Sequence, residues 1–232
     1  MRQQLSSRIS CALVLLATIV SGCEKRRETV DVTFGDDDCR YILAVVIDMS
    51  GSFADRMADN GEAYAFLGAL LDRYTRAKVG SGDRLVIAQV SGSDNFLLWE
   101  GRPLDLRREF DSAGQFRDFL CDNASSSSSQ IYEGMVNVLK YVMANPGVTE
   151  GRVKPVIFFL SDMEDTEPGK AARGREIRAL LKDYGSCGGS MGLYYVETWR
   201  VGPWQRELSN AGIQQHHVQA DIVGKPDLPE FD

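Results

Sequence analysis

Several groups on which protein chemistry often depends are scarce in this chain of 232 residues. It contains two histidines, His216 and His217, and five cysteines. Neighbouring residues on a strand point to opposite faces, so the two histidines do not readily share a metal ion. No phosphate-cradling glycine loop is present. The sequence therefore gives no indication of a nucleotide-binding enzyme or of a soft-metal site.

Positive charge is also in short supply. The chain has 26 Lys and Arg against 33 Asp and Glu, a formal net charge of -7. An acidic protein gains nothing from the phosphates of nucleic acids, so DNA and RNA are not expected partners. Hydrophobic residues make up 44% of the chain, which is enough to bury one good core but hardly two.

The apolar run Ile9–Val20 is too short to span a bilayer as a permanent helix. Two arginines precede it and small residues follow it, the pattern of a secretory signal peptide at residues 1–22. A cysteine directly after Val-Ser-Gly resembles the lipobox of bacterial lipoproteins. This resemblance implies that Cys23 becomes the acylated first residue of the mature chain. An ordinary secretory signal with a chance cysteine is the alternative.

Cleavage before Cys23 would leave 24 basic residues against 33 acidic ones, a net charge of -9. The polar segment 23–38 is then a tether between the lipid and the domain. It ends in three aspartates, which we interpret as a solvated charge run rather than a Ca²⁺ site. By resemblance to enterobacterial sorting, Glu24 favours the outer membrane of a bacterial cell envelope. The sequence does not distinguish the periplasmic face of that membrane from the cell surface.

Beyond the anchor the chain has three cysteines, Cys39, Cys121 and Cys187. An exported protein meets oxidising conditions, so we expect one disulfide and one remaining thiol. Cys39 starts the first predicted strand and Cys187 precedes a later one, which puts both at the amino-terminal edge of the sheet. We therefore predict a Cys39–Cys187 disulfide. Three buried free thiols are the alternative.

Strands and helices alternate along the rest of the chain. Apolar runs predict strands, with short edge strands beside them, at Tyr41–Ile47, Arg84–Val90, Phe96–Trp99, Val156–Leu160, Met191–Val196 and His217–Ala220. Amphipathic spacing predicts helices at Ala54–Ala77, Ala113–Cys121, Ile131–Val142, Arg173–Tyr184 and Pro203–Ser209. The alternation predicts a doubly wound α/β domain at 39–222. Its sheet is mostly parallel with one antiparallel edge strand, helices cover both faces, and an irregular tail follows at 223–232.

Carboxylates and hydroxyls follow two of the predicted strands. Asp48-Met-Ser-Gly-Ser52 follows the first, and Ser161-Asp162 follows the strand that ends at Leu160. An acid at the carboxyl end of each puts two carboxylates where open α/β sheets bind ligands. The five serines from Ser125 to Ser129 supply further hydroxyls. Hard oxygen ligands of this kind suit Mg²⁺ or Mn²⁺.

The element order, with Asp-x-Ser-x-Ser after the first strand, resembles a von Willebrand factor A-type (VWFA) domain, and the resemblance covers residues 39 to about 220. It implies a metal site similar to the metal-ion-dependent adhesion site (MIDAS) of that family. By this resemblance the ligands are Asp48, Ser50, Ser52, Ser129 and Asp162. Ser129 takes the place of the family's threonine, and Ser128 is the alternative register. Met163 stands where many members have glycine, which affects the shape of that loop.

The resemblance also implies a function. A partner protein would present an Asp or Glu carboxylate that completes the coordination of the metal. We expect no enzymatic activity, because no general base or nucleophile is predicted beside the ligands. One alternative is a metal-dependent hydrolase that uses the same acids with Glu164 as base. The other is a metal-free scaffold lipoprotein in an envelope complex.

Overall fold

The computed structural model describes residues 38–78, 82–91, 95–125, 129–166, 170–222 and 226–231. The predicted signal peptide, the predicted lipidation site Cys23 and all but the last residue of the tether lie outside these ranges, as does Ser128. In the described ranges, no helix has both the length and the apolar character needed to cross a membrane.

Six strands form one sheet in the order β3-β2-β1-β4-β5-β6. The strands are β1 Tyr41–Ile47, β2 Arg84–Gln89, β3 Leu97–Gly101, β4 Lys154–Leu160, β5 Ser190–Val196 and β6 Gln215–Ala220. Neighbouring strands are parallel except for the edge pair β2 and β3. The predicted doubly wound, mostly parallel sheet with one antiparallel edge strand is confirmed.

Helices cover both faces of this sheet. They are α1 Glu62–Ala77, α2 Pro103–Glu109, α3 Ala113–Asn123, α4 Ile131–Met143, α5 Pro146–Thr149, α6 Lys170–Ser186 and α7 Thr198–Asn210. Alternate residues of β1 enter two apolar layers, because successive strand side chains point to opposite faces. Leu43, Val45 and Ile47 pack with α1, α2 and α3. Their neighbours pack with α4, α6 and α7.

The long helix predicted from Ala54 is interrupted. A 3-10 turn covers Ala54–Met57, and α1 begins only at Glu62. Gly61 has an extended backbone with φ -73° and ψ 140°. A Cβ on Gly61 would lie 2.1 Å from the Arg56 carbonyl oxygen, so the chain can double back here only with glycine.

The predicted Cys39–Cys187 disulfide is not formed. Cys39, Cys121 and Cys187 are free thiols, and the Cys39 thiol donates to the Tyr41 carbonyl at 3.5 Å. Cys39 precedes β1 and Cys187 precedes β5, while β4 lies between these strands. Two strand spacings amount to about 10 Å, beyond the roughly 7 Å that a disulfide spans between Cα atoms. The prediction placed both residues at one edge but did not foresee the intervening strand.

Aspartates lie at both edges of the sheet, with different surroundings. At the carboxyl edge, Ile47 is paired with Leu160, so Asp48 and Ser161 are the first residues beyond two neighbouring strands. The Asp48 amide still donates to the Leu160 carbonyl at 3.0 Å. At the amino edge, Asp83 precedes β2 and accepts the amides of Arg40 and Tyr41, each at 2.9 Å.

The described part of the C-terminal tail is irregular, as predicted, but it is packed on the domain. Phe231 lies with its ring centroid 4.9 Å from that of Tyr74. Arg73 donates to the Leu228 carbonyl at 3.1 Å. These contacts hold the tail against α1.

Candidate metal centre

Asp48 lies at the centre of the carboxyl edge and is fully buried. Its Oδ1 accepts the Ser50 amide at 2.9 Å. Its Oδ2 accepts the hydroxyls of Ser161 at 2.8 Å and of Ser129 at 3.3 Å. Three donors from three segments therefore fix the orientation of this carboxylate.

Ser50 and Ser129 meet beside Asp48. Their hydroxyl oxygens are 2.6 Å apart, and both residues are buried. The backbone of Ser129 is held by Thr166, whose amide and hydroxyl donate to its carbonyl at 3.1 and 3.2 Å. At the other end of the serine run, the Ser125 amide donates to Gln89 at 2.6 Å. The structure thus brings Ser129 to Asp48, while the alternative ligand Ser128 lies outside the described residues.

Ser52 and Asp162 form the outer part of the site. The Ser52 hydroxyl donates to Asp162 Oδ2 at 2.9 Å, and Asp162 Oδ1 accepts the Glu164 amide at 2.8 Å. Burial raises the pKa of Asp48, hydrogen bonds from Ser50 and Ser161 lower it, and the nearby Asp162 carboxylate raises it further. The two carboxylates are therefore close enough to repel each other.

Ser161 has a structural role that sequence reasoning missed. Besides donating to Asp48, its hydroxyl accepts the Met163 amide at 2.9 Å. Met163 has φ 60°, a left-handed conformation that favours glycine. Its side chain is nevertheless buried in the core under α4 and α6. The Ser161 hydroxyl therefore links the strained turn at Met163 to the Asp48 carboxylate.

Asp165 lies in the acidic loop after Asp162, yet it is not exposed to solvent. It is buried, and its Oδ2 accepts the Tyr132 amide in the first turn of α4 at 2.9 Å. A carboxylate at a helix N-terminus satisfies an amide that lacks a partner within the helix. This pairing joins residues 33 positions apart, so no local sequence signal announces it.

Glu164 forms an ion pair at the surface. Its carboxylate lies 3.2 Å from the Arg200 guanidinium, which also contacts Glu197 at 3.0 Å. The Arg200 guanidinium lies 3.9 Å from the centre of the Trp199 ring, and Trp199 is 62% exposed. The first turn of α7 thus forms one wall of the site.

Sequence reasoning overlooked one catalytic-looking pattern, the Gly-x-Ser-x-Gly at residues 188–192. Its serine, Ser190, opens β5 at the amino edge and donates to Gln215 at 2.9 Å. A nucleophile elbow instead follows a strand and precedes a helix. The pattern here is therefore part of the strand pairing between β5 and β6.

The donor set suits a hard divalent cation. In the described ranges no three His, Cys, Asp or Glu side chains are grouped to hold a metal, so a cation here depends on hydroxyls as well as on the two carboxylates. All five predicted ligands offer oxygen, the element that Mg²⁺ prefers. A cation would also offset the burial of Asp48 and its repulsion by Asp162.

Comparison with known proteins shows the fold. No protein-family model and no curated protein sequence matches the chain. The solved VWA domain of SpRpn10 matches with a TM-score of 0.51 and 13% identity, over 78% of this chain and 87% of that one. The pilus adhesin SpaC of Lactobacillus rhamnosus GG matches with a TM-score of 0.51 and 10% identity, over 78% of this chain and 28% of that one. The chain therefore has a VWFA-type fold, as the resemblance predicted.

Proposed function

We propose that this chain is a lipid-anchored protein of the bacterial cell envelope whose VWFA-type domain binds a protein partner through Mg²⁺ or Mn²⁺. The proposed ligands are Asp48, Ser50, Ser52, Ser129 and Asp162. One observation carries the proposal: three segments far apart in sequence bring these side chains together at the carboxyl edge. Asp48, Ser50 and Ser129 form one hydrogen-bonded group, and Ser52 and Asp162 form a second, with contacts of 2.6 to 3.3 Å. The partner supplies an Asp or Glu carboxylate.

The chain's own residues prepare the site for an incoming carboxylate. Asp48 is held in one orientation, and the three hydroxyls add oxygen atoms without adding negative charge. The N-termini of α4 and α7 lie at this edge, and helix N-termini carry partial positive charge. A bound Mg²⁺ would supply the open coordination position that the partner's carboxylate completes.

The proposal excludes enzymatic activity. The hydrolase alternative needs Glu164 as a free base, and this residue is engaged with Arg200 on the surface. Ser50 and Ser129 use their hydroxyls on each other and on Asp48. Turnover of generic phosphate esters by the protein, lost in Asp48→Asn, would instead favour the hydrolase.

The metal site is tested by thermal unfolding of the mature chain carrying Cys23→Ser, so that no lipid is attached. Melts are recorded with Mg²⁺, with Mn²⁺ and with chelator. A metal that binds only the folded state raises the midpoint. We expect the rise to vanish in Asp48→Asn and in Asp162→Asn. It should persist in Asp118→Asn, a control that removes the same charge from exposed α3.

Absence of a metal-dependent rise in the unmodified site would favour the scaffold alternative. In that alternative the contacts of Ser50 with Ser129, and of Ser52 with Asp162, are purely structural hydrogen bonds. Partner binding that persists unchanged in chelator would decide for it. The anchor is tested separately, since Cys23→Ser in the full chain should move the protein from the membrane fraction to the soluble fraction.

A further inference from the structure

The amino edge of the sheet, opposite the candidate metal centre, carries three exposed cations and one half-buried cation. Lys154 pairs with Tyr41 across β4 and β1, and its amide donates to the Arg40 carbonyl at 2.8 Å. The Lys78 ammonium lies 3.9 Å from the centre of the Tyr41 ring. We call Arg40, Lys78, Arg152 and Lys154 the basic edge.

A cavity of about 510 Å³ opens among these residues. It is lined by Arg40, Arg152 and Lys154, with Tyr41 and the backbone of two glycine turns. Arg152 lies 2.6 Å from Glu150. In the part of the chain that the structure describes, Arg40 and Lys154 have no ion pair. The cavity is large enough for a phosphate head group and offers it these two cations.

The two edges of the sheet differ in charge. Within the described residues, the four cations of the basic edge lie with the carboxylates of Asp38 and Glu150. The carboxyl edge presents Asp162, Glu164 and Glu197, and the whole chain has a net charge of -7. An anionic surface would attract the basic edge and repel the acidic carboxyl edge. The charge distribution thus selects one orientation of the domain at such a surface.

The chain enters the domain at this same edge. A Cβ on Gly82, just before β2, would lie 2.9 Å from Asp38, the first described residue. Fourteen residues separate Cys23 from Asp38, and they reach about 50 Å when extended. A lipid at Cys23 would keep the domain within about that distance of a membrane.

We infer that the basic edge binds the phosphate of anionic phospholipid head groups, so that the amino edge lies on the bilayer and the candidate metal centre faces away from it. This inference rests on the proposed anchoring, which brings the domain to a membrane. It adds a second, electrostatic contact that fixes the orientation.

The test uses the mature chain with Cys23→Ser and vesicles of phosphatidylglycerol with phosphatidylcholine, compared with vesicles of phosphatidylcholine alone. Sedimentation with the vesicles measures binding. We expect binding only to the anionic vesicles, weakened by salt. Each cation near an anionic surface contributes about fivefold in affinity, so the double variant Arg40→Gln/Lys154→Gln should bind roughly thirtyfold more weakly.

The matched control is Arg175→Gln/Arg206→Gln, which removes the same charge from exposed residues of α6 and α7. It should bind like the parent chain. Equal losses in both double variants would mean a general charge effect and overturn the inference. Binding of inorganic phosphate at Arg40 without vesicle binding would also overturn it, in favour of a free phosphate ligand. These measurements use an unlipidated chain. Their result therefore does not depend on whether Cys23 is lipidated, and failure of the anchoring proposal can be told apart from failure of this inference.

Discussion

Asp48 and Asp83 are both buried aspartates that cap strands, but they lie at opposite edges of the sheet. Asp83 accepts two backbone amides, from Arg40 and Tyr41. Asp48 accepts one amide and two hydroxyls, with a second carboxylate, Asp162, nearby. The amino-edge aspartate is tied into the backbone, whereas the carboxyl-edge aspartate is held mainly by side chains.

This difference is the one expected between a structural carboxylate and a carboxylate proposed as a metal ligand. Backbone amides that lose their acceptor stay unsatisfied, so the Asp83 contacts support the fold. Hydroxyls can rotate to new partners, so the Asp48 contacts can adjust when a cation arrives. Burial alone does not distinguish the two residues, while the identity of their donors does.

The largest effect on stability is expected from Asp83→Ala. It leaves two amides without an acceptor and should lower the free energy of unfolding by about 3 kcal/mol. Urea denaturation measures this loss, which should be the same with Mg²⁺ and with chelator. Asp83→Asn keeps an acceptor oxygen and should lose less. A metal-dependent loss in Asp83→Ala would contradict the structural role.

Asp48→Asn should show the opposite behaviour. At a metal concentration about a hundred times the dissociation constant, the parent chain should gain about 2.7 kcal/mol of stability, and the variant none. In chelator the variant should be as stable as the parent within about 1 kcal/mol, because the hydroxyls of Ser129 and Ser161 can rotate to accept from the new amide nitrogen. Urea denaturation in both conditions checks this, and a retained metal gain would remove Asp48 from the ligand set.

Ser129→Ala tests a single hydroxyl of the same site. Losing one oxygen ligand should weaken metal binding about tenfold, equivalent to roughly 1.4 kcal/mol. Isothermal titration with Mn²⁺ measures the affinity. Ser125→Ala is the control within the same serine run, since the contact of Ser125 with Gln89 uses its backbone amide. Equal affinities in the two variants would show that Ser129 is not a ligand.

The smallest effect is expected from Glu164→Gln. It breaks the exposed ion pair with Arg200, and such pairs contribute about 0.2 to 1 kcal/mol. The metal-dependent rise in melting midpoint should be unchanged. Thermal melts with and without Mg²⁺ provide the measurement. Loss of the metal response would place Glu164 inside the site rather than on its rim.

The central strands could be predicted from sequence because their signal is local. Apolar runs mark β1, β4 and β5, and their ends fall within two residues of the prediction. The helix α2 was missed, because Pro103–Glu109 is short and carries little apolar periodicity. The predicted helix Ala54–Ala77 was too long, because its apolar spacing gave no sign of the interruption at Gly61.

The candidate site shows the same division. Asp48 and Asp162 were found because each comes at the end of an apolar strand. The tie from Ser161 to Met163 and the cap that Asp165 places on α4 were missed, since both depend on the folded path of a loop. The Cys39–Cys187 prediction failed for a related reason. The sequence places both cysteines at one edge of the sheet, but it does not show that β4 lies between the strands that they precede.

The contacts at the carboxyl edge also bear on the order in which parts of the domain form during folding. Asp48 and Ser161 are separated by 113 positions, and Ser52 and Asp162 by 110. Contacts so distant in sequence form late, because the loop-closure entropy must be overcome before they are made. A newly made chain would therefore stay unable to hold a cation until β4 has docked beside β1. The time at which metal binding begins during refolding would then report when the central strands β1 and β4 have paired.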